Sequence, residues 1–592
     1  MSQAMSHGMG HEMRKPTPPT VEQTAVLVVG AGPVGLTLAL ELERHGVQTL
    51  LVERNASTTR HPKMDVTNGR SMELYRRLGV ADDLRKVALP ADRPTKVTWA
   101  TNAAGWELAS FAYPSVDDLR ERNRERNDGT QSLEPWMRVS QVILEPALRD
   151  LLQDRAKHVS VRYGWGLERY EEDADGVTAH LVSADGTSRR IVRARYLAGC
   201  DGAGSRTRGR LGIGLDEIDL RKLIVREIGL SRTVAALARA FRERRERPAD
   251  GRFFLVHFTT KDARVLGRFG TVWHLQSPDG WTLISQNDGD TFTLHAPLGM
   301  GTDSDRIDPR EFLYDRLGCR FEAEVLVANA WTPRLTVADS FGRGRVWLAG
   351  DAVHQVTPTG GYGMNTGVGD AVGLGWALAA VLQGWGGPGL LRAYEHERRS
   401  VAVRNRRAAA RHALVRAAVM TANRAELHSE RWLGARTRQR VGREVLDLGN
   451  LENEALGIEL GYRYDTSPVV CPDTAPGARA PRQTMDDYVP STWPGARPPS
   501  VLLADGTALF DLFDAAGFTL LRFADHDVTA LTDAAAERGV PLKVLDVRDP
   551  HAHALYERDL VLVRPDQHVA WRGDAAPTDP LHVIDRIRGA RH

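Results

Sequence analysis

Residues 25–54 read AVLVVGAGPVGLTLALELERHGVQTLLVER, and this stretch decides the fold. The short apolar run Val26–Val29 predicts a buried strand. Gly30, Gly32 and Gly35 follow in G-x-G-x-x-G spacing, with Pro33 among them. Leu36, Leu38, Ala39 and Leu42 then share one helical face, and Gly46 ends the helix. VQTLLVE is a second buried strand, finishing on Glu53. The order strand, glycine turn, helix, strand predicts a βαβ unit and a parallel sheet. Gly30 permits the tight turn, Gly32 lets the backbone approach a pyrophosphate, and Gly35 lets helix and strand pack closely. The helix N-terminus favours phosphate. Glu53 lies 18 positions after Gly35, where a carboxylate can take a ribose hydroxyl pair. The whole predicts a dinucleotide site without separating FAD from NAD.

Two later segments extend the pattern. YLAGCDGAGSRTRGRLGI, residues 196–213, places Asp201-Gly202 at a strand end, followed by Ser205 and Arg208. GRVWLAGDAVHQVTPTGGYGMNTGVGDAVGLGWAL, residues 344–378, ends an apolar strand on Gly350-Asp351, then runs through His354, Pro358, Gly363 and Asn365 into an apolar helix. The strand is expected to deliver Asp351 to a sheet edge. Asp370, a turn into the helix, is read as structural.

Together these three motifs, in this order, resemble the flavoprotein aromatic hydroxylases of the p-hydroxybenzoate hydroxylase and phenol 2-monooxygenase group. The resemblance covers nearly all of the chain after residue 24. It implies non-covalent FAD, with NADPH or NADH as electron donor. It further implies that oxygen adds to the reduced flavin as a C4a hydroperoxide and passes to an electron-rich aromatic carbon. Asp351 matches the position that holds the ribityl chain, and Asp201 one that serves both FAD and the nicotinamide. Arg138 and Gln141, in RVSQVILEPALRD, match positions near the diphosphate and adenosine. Gly350, Pro358, Gly363, Met364 and Asn365 fall beside the flavin, and Arg54 beside the ribose acid Glu53. Lys63 stands in the segment running along the flavin, where the family more often reads Pro-Arg-Ala. His354 is a local organiser of the flavin site.

At 592 residues the chain is too long for one core, and roughly three or four domains are expected. The fold class read is α/β with α+β elements. Residues 1–24 form a disordered tail. A Rossmann-like FAD-binding domain follows in two parts, 25–215 (with an excursion at about 96–135) and 334–464, the second part including long helices. Residues 216–333, rich in aromatic strand-like runs, form an inserted, mostly antiparallel sheet domain for the substrate. Residues 465–592 resemble the thioredoxin-like domain of the phenol hydroxylase branch. Its first strand–helix junction reads RFADHDV, with no CxxC, so disulfide chemistry is not expected.

Composition excludes several classes. Lys and Arg total 78 against 76 Asp and Glu, a net charge of +2, which gives no reason to expect nucleic acid or an anionic membrane. The basic run ERRSVAVRNRRAAARHALVR is read as a solvated helix face. Cys200, Cys319 and Cys471 lie far apart, so no metal site or disulfide framework is expected and the cytoplasm fits best. No run reaches a membrane span. A second nucleotide-binding unit is missing, as are the tryptophan-rich motif of flavin halogenases and the signature of two-domain Baeyer–Villiger enzymes.

The function expected is a single-component monooxygenase that uses NAD(P)H and O2 to hydroxylate a phenolic or polyketide-type aromatic, as in antibiotic biosynthesis. A homodimer is implied by the resemblance. Baeyer–Villiger or another oxygenation of a polycyclic substrate is the alternative on the same fold. A non-catalytic flavin-binding protein is the alternative of another class. No motif fixes the catalytic base. His257, His274 and His295 are the candidates in the inserted sheet, with Phe269 and Trp273 as pocket walls.

Overall fold

A computed structural model of the protein describes residues 21–218, 251–262, 267–421 and 426–590. Residues 1–20 of the expected tail lie outside these, as does part of the expected inserted domain. The remainder of that tail is not disordered: the first strand starts at Val21, and Val21–Thr24 pair with Ile191–Ala194. The mostly polar run Val21–Thr24 carries no local strand signal, and the ladder partner far along the chain supplies its order.

The first sheet runs Gly342–Arg343, Val346–Leu348, Arg189–Gly199, Val21–Val29, Thr49–Glu53 and Val159–Tyr163. Its four central pairings, from Val346–Leu348 to Val159–Tyr163, are parallel. Val26, Leu27 and Val28 are fully buried, as expected for a central parallel strand covered on both faces. The helix Pro33–Arg44 packs against Tyr362–Gln383, a 22-residue helix with Asp370 buried inside it.

The second sheet has seven strands in the order Glu324–Trp331, Phe253–Thr259, Thr291–Pro297, Thr282–Ser285, His274–Gln276, Thr95–Ala100 and Glu107–Tyr113. All pairings are antiparallel except His274–Gln276 with Thr95–Ala100. The hairpin at 95–113 is therefore not an excursion from the nucleotide-binding half. It supplies two strands to a sheet whose other members begin only at Phe253. Successive strand residues face opposite sides. Phe254, Val256, Leu275, Leu283 and Leu294 pack on one side with Leu313 and Leu317 of the helix Pro309–Leu317. Leu255 lies on the other side, with His274, Gln276, Thr282, Ile284 and His295.

The C-terminal sheet has the order Leu542–Asp546, Phe518–Arg522, Leu560–Val563, Val569–Gly573. Its first pair is parallel and the others antiparallel, with the helices Thr529–Glu537 and Pro580–Ile587 packed together. Phe518 meets Trp376 and Trp385 edge-on, so this unit shares a core with the first sheet and its helices. Buried ion pairs reinforce the junction: Arg497 with Glu73, and Arg564 with Glu397 at 2.6 Å.

The basic helical run is only partly a solvated face: Arg407 and Arg411 are exposed, but other arginines of the run turn inward. Arg398 is 2% exposed and bonds Asp370, Thr366 and Tyr464. Arg406 pairs with Asp216, and Arg416 with Glu452. Each guanidinium can enter the interior because a carboxylate from a distant segment meets it there, and a sequence window does not contain those carboxylates.

Candidate active site

One cavity of about 1420 Å³ runs from the carboxyl ends of the first sheet to the open face of the second. It exceeds the range of roughly 300–1,000 Å³ usual for one small ligand, so two ligands fit end to end.

The nucleotide-facing end follows from the glycine turn. Gly30 has φ of +105°, and a Cβ there would stand 2.4 Å from the Cys200 carbonyl oxygen. Gly35 has no room at all, with Gly30 O 1.9 Å from the Cβ position. Gly32 is different: a Cβ there would meet nothing closer than Glu145 Oε1 at 4.0 Å. It borders the cavity with Pro33 and Val34 at the start of the helix Pro33–Arg44. That helix start has no side-chain cap and no acidic residue in its first turn, so its N–H groups are left for an anion. Glu53 accepts from Ala31 N at 3.0 Å and from Asn55, and its carboxylate lines the cavity beside Arg54.

Asp201 lines the cavity and orders the next loop, accepting from Ser205 Oγ at 2.5 Å and from Thr207 N and Oγ1 at 3.0 Å. Asp351 also lines it, exposed. The surrounding protein raises its carboxyl above the ordinary value, opposed by His354 and Lys63. Lys63, Gln141, Pro358, Gly363 and Met364 complete this end. Gln141 bonds Glu145 Oε1 at 2.6 Å, and Glu145 also accepts from Thr59 N. The uncapped helix start and Lys63 offer donors, the Glu53 carboxylate offers an acceptor, and Gly32 leaves the approach between them open.

Besides Gly35, three expected residues stand behind the wall. Gly350 has φ of +65° and packs against Val34, its N–H donating to Asp370. Asn365 ties the loop together: Oδ1 accepts from Asn68 N at 2.9 Å and Nδ2 donates to Gly361 O at 2.7 Å. Arg138 is turned the other way. It pairs with Asp288 at 2.8 Å, bonds Ser285 O and lies over the Trp273 ring, so its charge is engaged by the second sheet and not directed into the cavity.

At the sheet end, His274 and His295 line the cavity and His257 does not. His257 is buried with Nδ1 3.0 Å from Phe292 O and Thr293 Oγ1. Phe269 is core, and its carbonyl accepts from Lys96 Nζ. Trp273 stacks on Trp136 and donates its N–H to Asp65, behind the wall. Sequence reasoning missed Asp65, Gln276, Asn329, Trp331, Arg416 and Glu452, all of which line the cavity. The strand period carried a signal for one of them. His274 and Gln276 are two apart in one strand and so share a face. Among the described residues, no cluster of three His, Cys, Asp or Glu is placed to hold a metal, and no helix is long and apolar enough to cross a membrane.

Residues 23–409 match the FAD binding domain family, and residues 491–590 the C-terminal domain of aromatic-ring hydroxylases. The FAD-dependent monooxygenase apdD of Emericella nidulans is 36% identical, over 95% of this chain and 89% of its own. The aklavinone 12-hydroxylase RdmE of Streptomyces purpurascens is 31% identical, over 95% of this chain and 97% of its own. Among solved structures, the rebeccamycin biosynthetic enzyme RebC with reduced flavin superimposes with a TM-score of 0.81 at 35% identity, covering 97% of this chain and 100% of that one. The chain belongs to the FAD-dependent monooxygenases of the aromatic-ring hydroxylase family.

Proposed function

We propose that this enzyme uses NADPH or NADH and O2 to hydroxylate a phenolic or polyketide-type polycyclic aromatic, with FAD at one end of the cavity and the substrate at the other. The observation that carries this reading is the continuity of the cavity, from the uncapped helix start at Gly32 to the polar sheet face at His274. When bound, FAD supplies the redox chemistry between nicotinamide, oxygen and ring carbon. The chain supplies binding, orientation and exclusion of water.

In this reading the N–H groups of Gly32 and Val34 receive the diphosphate, Glu53 and Arg54 the adenosine ribose, and Asp351 the ribityl hydroxyls. Gly30 and Gly35 hold the turn that aims the helix. Lys63, Gln141 and Asp201 border the cofactor, and Pro358, Gly363 and Met364 border its ring. Asn365 and Gly350 fix that loop from behind. Arg138 acts as a brace between the two halves of the molecule. The organisation proposed is an FAD-binding lobe from residues 21–94, 114–215 and 334–464, a substrate lobe from 216–333 with the hairpin 95–113, and a C-terminal unit from 465. The reading places the enzyme in the cytoplasm as a homodimer. The names of its relatives, aklavinone 12-hydroxylase among them, support a polycyclic substrate.

The test is purification followed by NADPH and NADH oxidation across a panel of phenols and polyketide aromatics, with product mass. Yellow protein, substrate-stimulated oxidation and gain of one oxygen without ring expansion are expected. A lactone or ester product would replace hydroxylation with Baeyer–Villiger chemistry, and a protein that neither holds flavin nor consumes nicotinamide would refute the reading.

A further inference from the structure

A turn between two strands normally lies on the surface, because its backbone polar groups need water. The turn between the C-terminal strands Leu560–Val563 and Val569–Gly573 does not. Residues 564–568 are all buried, and Arg564, Asp566, Gln567 and His568 among them carry polar side chains. Gln567 has φ of +60°, in the left-handed region that favours glycine. A polar turn in that conformation persists in the interior only where its surroundings fix it.

Its surroundings are the segments behind the cavity wall, reached by two routes. The first is Arg70, which donates to the Asp566 carbonyl at 2.9 Å and to Gln567 Oε1 at 3.1 Å. Arg70 stands in the first turn of the helix Gly69–Arg77, whose cap is Asn68. Asn68 N donates to Asn365 Oδ1, and Asn365 Nδ2 donates to Val66 O and Gly361 O. Asn365 thereby joins two strips of the cavity wall, one holding Lys63 and Val66, the other Pro358, Gly361, Gly363 and Met364.

The second route uses the long helix Gly389–Thr421. Arg564 holds both oxygens of Glu397, at 2.6 and 2.8 Å. The next residue, Arg398, donates to Thr366 O at 2.9 Å and to Tyr464 Oη at 3.0 Å. The Tyr464 ring lies under the Arg564 guanidinium and 4.4 Å from the His568 ring. Both routes end at the start of the helix Tyr362–Gln383, on the adjacent residues Asn365 and Thr366.

We propose that the buried turn 564–568 positions the flavin-facing wall of the cavity, with Arg70 as the positioning residue that ties the two together. The inference rests on the reading above that FAD lies against Pro358, Gly363 and Met364. It gives the C-terminal unit, which lacks a CxxC, a task in the monooxygenase itself. A wall held in place beforehand binds the cofactor without a further cost of ordering, so releasing it weakens FAD binding.

The experiment measures the FAD dissociation constant by flavin fluorescence on the full chain. Arg70→Met cuts the tie without stranding a charge, because both oxygens of Glu73 stay with Arg497. It should keep wild-type far-UV circular dichroism and bind FAD about tenfold more weakly, a usual size for coupled sites. Arg70→Lys should fall between, since an ammonium lacks the planar fork that spans both acceptors. Arg76→Met is the control. It cuts a different tie between the same helix and the same unit, the pair with Asp511, and leaves Glu134 with Arg85. Its FAD affinity should equal that of the wild type. Unchanged affinity in Arg70→Met, or an equal loss in Arg76→Met, would overturn the assignment.

A second measurement needs no variant. Coupling is reciprocal, so removing FAD from the wild type should speed amide hydrogen exchange in residues 564–568, where Arg564 N and Gln567 N are bonded within the turn. Exchange in the helix Thr529–Glu537 should stay as it was. Equal protection of the turn with and without FAD, or a rise shared by that helix, would also overturn the assignment. A wild type that binds FAD and oxidises NADPH while these tests fail leaves the hydroxylase reading standing. A wild type that binds no FAD removes that reading and the assignment with it.

Discussion

The imidazole Nε2 of His354 and the carboxylate of Asp370 meet at 2.6 Å, both side chains out of solvent. Arg398 closes on the other oxygen at 2.8 Å, and Gly350 N donates to Asp370 at 3.1 Å. One helical carboxylate thus holds the turn that presents Asp351. Burial works to raise its pKa, and His354 and Arg398 outweigh it and keep it ionised.

Asp370→Asn strands a buried guanidinium. Breaking a buried pair from one side costs about 3–5 kcal/mol, so the melting temperature should fall by several degrees in thermal scans. Adding Arg398→Met should return part of the loss, because the unpaired charge is then gone. A melting temperature unchanged in the single variant would show that the triad adds nothing.

Gly32 and Gly35 should separate cofactor binding from folding. Gly32 already has extended backbone, and its Cβ position is open. Gly32→Ala is expected to fold with wild-type far-UV circular dichroism yet retain less than about a tenth of the flavin, because the methyl occupies the phosphate approach. Gly35→Ala should be insoluble, since its Cβ collides with the Gly30 carbonyl. Visible flavin absorbance per protein checks the first and soluble yield the second.

Stability should fall as pH rises past neutrality through Glu459. Burial pushes this carboxyl up from 4.5 to about 7, opposed by a hydrogen bond from Gly69 N. Between those values the folded chain binds a proton that the unfolded chain has released, so stability is greatest below about pH 4.5 for this group and is lost as pH rises through about 7. Glu459→Gln should flatten that part of the melting-temperature profile between pH 5 and 8. An identical slope in the variant would remove Glu459 as its source.

Thiol labelling should find one cysteine in the native chain. Burial raises Cys200 and pushes Cys471 up to about 11, so neither forms thiolate near neutrality, and both are buried. Cys319 is half-buried. Ellman's reagent at pH 8 should take up at most one equivalent, lost in Cys319→Ser. Uptake of two or more equivalents would contradict this placement.

What the sequence carried was local. The glycine turn, the two strands around it and the alternation of the C-terminal elements depend on residues close in the chain, and period and spacing read them directly. What it did not carry was pairing at a distance. Alternation in residues 96–112 predicts a hairpin but cannot name His274–Gln276 as its neighbour. The arginines of the long helix read as solvated because Asp370, Asp216 and Glu452 lie elsewhere in sequence. Trp273 and His274 looked alike as pocket candidates, but only His274 lines the cavity, while the Trp273 ring stacks on Trp136. Asp65 gave no signal at all, since its meaning depends on a strand more than 200 residues later.

The loan of the hairpin 95–113 to the second sheet also bears on how the chain is made. Strands alternate between the two sheets as 21–53, 95–113, 159–199, 253–331 and 346–348. Neither sheet can be completed from a contiguous stretch of nascent polypeptide. The second waits for Trp331 and the first for Leu348, so more than half the chain must leave the ribosome before either closes. Until residues 274–276 are made, the strand Thr95–Ala100 has an unpaired edge, which leaves the hairpin open to wrong pairing during synthesis.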